Sequence, residues 1–137
     1  MKESIDAGVA HKGVIAALLA VAMAVVMIVS APPAEAEGAP GTPPTGCGSS
    51  WACGYEDANY GGGKSQFKQA NSSWSGWAIY NDDDSMFNNK TDGNAVRVYA
   101  NANYSNDIYC VPAGWGYTNV VWYEDNTGES NTIPGDC

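Results

Sequence analysis

From Cys47 onward, short runs of β-branched and aromatic residues alternate with clusters of glycine, asparagine and aspartate, and no stretch sustains a helical period. The pattern predicts strands over Trp51–Glu56, Lys64–Gln69, Val96–Tyr99 and Asn119–Tyr123, and an all-β domain over 47–137. The chain before Cys47 is different in kind. Lys2 and Lys12 precede an unbroken apolar run from Val14 to Val29, and small residues follow at Ala34 and Ala36. Sixteen apolar residues fall short of the roughly 20 that span a bilayer, so residues 1–36 read as a signal peptide and the domain is expected to be secreted, with no membrane attachment after cleavage. Residues 37–46 hold three prolines and three glycines and read as a flexible linker.

Two β segments share one pattern. Tyr55-x-x-Ala58-Asn59-Tyr60-x-Gly62 matches Tyr99-x-x-Ala102-Asn103-Tyr104-x-Asn106 at an offset of 44 residues. The same offset lays the acidic stretch 81–86 over 125–130, which predicts a tandem duplication with repeats at about 51–94 and 95–137. In each copy the first aromatic packs over a folded hairpin. The last position needs a positive φ, which Gly62 adopts freely and Asn106 tolerates.

Charge then narrows the function. Fifteen acidic residues against six basic ones give a net charge of −9, which leaves nothing to neutralise a run of phosphates and excludes nucleic acid as a partner. The same charge favours a cation, with calcium the natural candidate. Cleavage after Ala36 removes the single histidine, His11, and leaves 12 acidic against 4 basic side chains. A histidine-free domain has no Ser-His or Cys-His nucleophile pair and no imidazole base, so a non-enzymatic protein is expected. A paired-carboxylate glycosidase using Glu56, Asp57, Glu124 or Asp125 needs a deep cleft that a two-sheet domain of this size does not offer.

Four cysteines in an exported domain predict disulfides. Three pairings are open; Cys47 with Cys53, and Cys110 with Cys137, is favoured because it makes one local loop and ties the last residue to the body. A four-cysteine zinc site is the alternative, although no Cys-x-x-Cys pair is present.

An aromatic-x-x-x-x-aromatic-x-Gly segment followed by an Asn/Asp-Asn/Asp-x-x-Ser/Thr-Ser loop resembles the signature of βγ-crystallin Greek keys. With Cys47 and Cys53 ahead of Tyr55 to Gly62, the domain looks more narrowly like the secreted microbial metalloproteinase inhibitors of that fold, peptidase inhibitor family thirty-six. The resemblance implies a βγ-crystallin-like sandwich of two Greek-key repeats, monomeric, whose partner is a secreted metalloproteinase. It also implies calcium ligands: Asp82, the carbonyl of Asp83 and Ser85 in one loop, and Asn126, Thr127 and Glu129 in the other. In that alignment Glu129 stands where a hydroxyl is expected, and Met86 replaces a serine and packs into the core. A calcium-binding structural or cell-surface module is therefore the alternative function. The family's inhibitory site is a Cys-Val bond, which points to Cys110-Val111-Pro112 as a rigid substrate-like loop; a strand end with Val111 in the core is the competing reading.

Five tryptophans exceed what the core of such a domain needs. Trp74-Ser75-Gly76-Trp77 and Trp115-Gly116-Tyr117 lie in loop-like contexts, where exposed rings would stack on sugars or anchor a protein partner.

Overall fold

The computed structural model of the protein describes residues 38–120 and 126–137. The expected signal peptide, Trp122, Glu124, Asp125 and part of the strand expected over Asn119–Tyr123 lie outside them; Asn119 and Val120, which are described, form no strand.

Among the described residues eight strands run in order: β1 (Ala39–Pro40), β2 (Ala52–Asp57), β3 (Gly61–Phe67), β4 (Ser85–Asn88), β5 (Val96–Asn101), β6 (Ser105–Val111), β7 (Trp115–Tyr117) and β8 (Ser130–Thr132). They form a five-stranded sheet in the order β1-β7-β4-β2-β3 and a three-stranded sheet in the order β6-β5-β8, with every pairing antiparallel. Each sheet contains one hairpin, which occupies one edge. Ala52 pairs with Phe67 across β2 and β3, and Val96 pairs with Val111 across β5 and β6, so the offset of 44 holds through both hairpins.

After each hairpin the chain crosses to the other sheet. β7 leaves the sheet of β6 and pairs with β4 of the other repeat, Phe87 opposite Gly116. Asn71, just after β3, makes the reciprocal move and exchanges two backbone hydrogen bonds with Asn131 of β8, at 2.9 and 3.0 Å. This exchange is a pair of interlocked Greek keys, and it makes each sheet depend on both repeats.

The hairpin turns explain the repeated Ala-Asn-Tyr. Asn59 and Tyr60 both take positive φ, at 57° and 64°, and Asn103 and Tyr104 do the same at 59° and 62°. Gly62 and Asn106 also take positive φ, at 68° and 62°. Asparagine is at ease in the left-handed region, whereas tyrosine is not, so the two tyrosines must be held there by packing and hydrogen bonds.

Between the sheets lies one core, formed by Ala52, Phe67, Trp74, Ile79, Met86, Val96, Val98, Tyr109, Val111 and Val120. The side chains alternate along β2, so Cys53 and Tyr55 face away from that core, yet they too are buried. A second cluster of Cys47, Cys53, Tyr55 and Phe87 covers the outer face of the larger sheet, with Trp51 and Tyr60 packed against it.

That second cluster accounts for a difference from the sequence reading. The described part of the expected linker, 38–46, is laid along the sheet: Ala39 and Pro40 pair with Gly116 and Trp115, and the Gly41 N–H donates to the Gly114 carbonyl at 3.1 Å. Gly38 lies flat on the Tyr117 ring, and Gly41 lies against Phe87. Proline is tolerated because the strand is at an edge, where no ladder hydrogen bond is lost. Trp115–Tyr117, expected in a loop, is the strand that receives this arm.

Candidate functional site

The candidate inhibitory bond lies inside a strand. Cys110 and Val111 belong to β6, paired with Arg97 and Val96, and Val111 is 0% exposed within the main core. Pro112 leads into a tight turn in which the Trp115 N–H donates to its carbonyl at 3.1 Å. Cys110-Val111-Pro112 therefore forms no protruding loop. Its alternating pattern continues that of Tyr109, so Val111 is drawn inward by the same burial that fixes the strand.

The cysteines join as Cys47–Cys53 and Cys110–Cys137, with Cα separations of 5.9 and 5.7 Å. The second bridge fastens the chain end to β6, and Arg97 assists by donating to the Cys137 carbonyl at 2.7 Å and pairing with Asp107. The first closes a loop at the surface.

That loop is densely braced. The Ser50 N–H donates to the Asn89 carbonyl at 2.8 Å, the Asn89 N–H to the Trp51 carbonyl at 2.9 Å, and Asn89 Nδ2 to the Cys47 carbonyl at 2.9 Å. Within it the Trp51 N–H reaches the Gly48 carbonyl at 3.2 Å, and the Ser50 and Thr91 hydroxyls meet at 2.8 Å. Ser50 is held at a φ of 70°. Gly48 and Ser49 are exposed at the tip, while Cys47 and Cys53 are buried at its base. The extended arm reaches the loop through Pro44, whose carbonyl accepts the Cys47 N–H at 3.0 Å.

The acidic loops depart from the expected ligand sets. Ser85 is 0% exposed, accepts the Tyr60 N–H at 2.9 Å and donates to the Asp57 carbonyl at 2.7 Å. Its hydroxyl is committed to the hairpin turn. Ser130 does the same in the second repeat, accepting from the Tyr104 N–H at 3.2 Å and donating to the Asn101 carbonyl at 2.7 Å. The equivalent of Ser85 is thus Ser130, not Glu129, and the register of the acidic loops is 45 rather than 44.

Two further pairs obey that register. The Asp84 N–H donates to the Tyr55 carbonyl at 3.0 Å as the Glu129 N–H donates to the Tyr99 carbonyl at 2.9 Å. Asn81 and Asn126 both sit in the left-handed region, at φ 54° and 55°. The residue that shifts the register lies between Val111 and Asn126, since the hairpins still align at 44.

The remaining donors are dispersed. The Asp83 carboxylate is buried, accepting the Tyr109 hydroxyl at 2.6 Å and the Gly128 N–H at 2.7 Å. Glu129 links the repeats, accepting from Asn81 Nδ2 at 3.2 Å and from the Ala102 N–H at 3.2 Å. Asp82 and Asn126 are exposed, and Thr127 is half-buried. Among the described residues no group of three His, Cys, Asp or Glu side chains is placed to hold a metal ion. The Ser85 hydroxyl has its donor and one of its two acceptor lone pairs filled inside the fold.

The tryptophans divide. Trp74 is fully buried, its Nε1 donating to Asn131 Oδ1 at 2.9 Å, so it is core. Trp51, Trp77 and Trp115 are half-buried, and Met86 is wholly enclosed in the core.

Two sheets that each hold one hairpin, with exchanged strands and a serine locking each turn, define a βγ-crystallin-like protein. Solved structures share the architecture: one described for the evolution of the eye-lens βγ-crystallin domain fold (TM-score 0.57, 8% identity, 70% of this chain and 93% of that one). A βγ-crystallin from Ciona intestinalis matches with TM-score 0.50 and 17% identity over 61% of this chain and 98% of its own. A βγ-crystallin from an archaeon matches with TM-score 0.50 and 19% identity over 63% and 99%. No curated protein matches the sequence. The chain belongs to Peptidase inhibitor family I36, whose sequence profile matches residues 41–111, just over half its length. That span opens in the N-terminal arm and includes the whole Cys47–Cys53 loop.

Proposed function

We propose that the protein is an exported inhibitor of metalloproteinases and that the loop closed by Cys47 and Cys53 is the element it presents to the protease. Membership in a peptidase-inhibitor family supports a protease as partner. The observation that carries the choice of loop is its combination of an exposed tip, Gly48-Ser49, with a base fixed by a disulfide and by hydrogen bonds to Asn89.

A substrate-like segment inhibits when it binds with little loss of conformational entropy and does not relax away once engaged. The loop meets both conditions. Its tip residues are small, so a protease cleft can approach the backbone closely, and its base cannot open without breaking either the S–S bond or the contacts to Asn89.

The test is inhibition of a thermolysin-type metalloproteinase by the oxidised domain, 37–137, compared with its Cys47→Ser/Cys53→Ser variant. Circular dichroism would verify that the variant is folded. Loss of inhibition in a folded variant supports the assignment; undiminished inhibition would move the contact to another loop.

A further inference from the structure

A groove of about 330 Å³ opens beside this loop, between the half-buried rings of Trp51 and Trp77, with Phe67 among its walls and Gln66, Lys68 and Gln69 at its rim. Its aromatic walls are rigid. Trp77 is stacked on Phe67 at 5.9 Å and 23°, and on the fully buried Trp74 at 6.3 Å and 12°, so its plane is set by the core. Trp51 is set by the disulfide loop.

The charge in the groove is opposite to that of the protein. Among the described residues no acidic side chain lines it, although the chain carries a net charge of −9. The described residues hold four basic side chains, and three are engaged: Lys64 donates to the Gly46 carbonyl, Lys90 pairs with Asp92 at 3.1 Å, and Arg97 pairs with Asp107. The fourth, Lys68, has no polar partner among the described residues and rests over the Trp51 ring at 4.5 Å. The side-chain amides of Gln66 and Gln69 likewise make no hydrogen bond among the described residues and face solvent.

We infer that this groove binds an acidic saccharide, a sugar chain bearing carboxylates. The C–H bonds on a pyranose face carry partial positive charge and dock on the negative face of an aromatic ring. Free amides at the rim match ring hydroxyls as both donors and acceptors. Lys68, already over one ring, supplies the charge that selects a carboxylate-bearing sugar over a neutral one. Fixed rings leave little ordering entropy to lose on binding. Saccharide binding here needs no protease, although Trp51 joins the groove to the inhibitory loop.

The test is titration of the oxidised domain with oligogalacturonate, followed by tryptophan fluorescence and calorimetry. Neutral chitotriose and a polyglutamate peptide serve as comparators. Oligogalacturonate is expected to shift tryptophan emission and to bind more tightly than either. Lys68→Gln, at an exposed side chain, is expected to keep the native melting temperature and weaken binding by about tenfold, while Gln66→Ala gives a smaller loss. Absence of oligogalacturonate binding to the folded domain would overturn the inference, as would unchanged affinity in Lys68→Gln. Equal affinity for polyglutamate would also overturn it, since the groove would then read charge and not sugar.

Discussion

Ser85 and Ser130 lock the two hairpins of this fold in the same way, each accepting an N–H from a tyrosine held at positive φ and donating to a carbonyl three residues earlier. Both side chains are wholly buried, so neither can exchange its partners for water. Each serine thereby offsets the strain of a left-handed tyrosine, which explains why a β hairpin of this shape needs a serine from a distant strand.

Ser85→Ala and Ser130→Ala should each destabilise the domain by about 1–3 kcal/mol, because the turn N–H and carbonyl are left without the hydroxyl. Chemical denaturation would measure this. Comparable losses at the two sites are expected; a neutral Ser130→Ala would break the equivalence drawn between them.

The two disulfides should separate in their effects. Removing Cys110–Cys137, with a sequence separation of 27, should cost about 3 to 4 kcal/mol, whereas the short Cys47–Cys53 loop should cost about 2 kcal/mol. Inhibition should show the opposite order, surviving loss of the longer bridge in folded protein and failing with the shorter. Paired melting and inhibition assays on the two double-serine variants would show it.

Val111 supports the core, so Val111→Ala should lower stability by about 1 to 3 kcal/mol and leave inhibition per folded molecule unchanged. Active-site titration against a correction for folded fraction is the measurement. A fully folded variant with abolished inhibition would return the contact to the Cys110-Val111 bond.

Tyr55 gives a pH signature. Burial, and to a lesser degree the neighbouring Tyr60, raises its pKa above the usual 10.0, and burial raises that of Tyr60 as well. A raised folded pKa means that the native state holds its proton when the unfolded chain has lost it. The stabilisation is complete below pH 10.0 and is lost as the pH climbs through the folded values. The Tyr55 hydroxyl is also buried without a hydrogen-bond partner among the described residues. Tyr55→Phe should therefore be neutral or slightly stabilising at pH 7, with a shallower decline in melting temperature under alkali. A clear loss of stability at neutral pH would show that the hydroxyl has a partner.

Much of the fold is legible in the sequence because the hairpin signature is local. Tyr55 to Gly62 and Tyr99 to Asn106 carry their own turn chemistry, and the structure gives both the same dihedral sequence. The acidic loops misalign because a single extra residue separates the second from its hairpin, and the aromatics impose their own register. The dipeptides Asp84-Ser85 and Glu129-Ser130 hold the missing signal, an acidic residue before the locking serine in both repeats. The N-terminal arm leaves almost no trace in sequence, since a two-residue edge strand with proline and glycine is defined by its partner β7 and not by its own pattern. The groove between Trp51 and Trp77 is equally hidden, because only the fold brings together residues so far apart in the chain.

Inhibition itself is tested most directly by titrating the oxidised domain into a known concentration of a thermolysin-type metalloproteinase. Residual activity is read on a small fluorogenic peptide at fixed saturating calcium, which keeps metal depletion from imitating inhibition. A linear, saturable fall in activity that ends at one domain per protease is the expected result. Full activity at a large excess of folded domain, across a panel of such enzymes, would contradict the assignment.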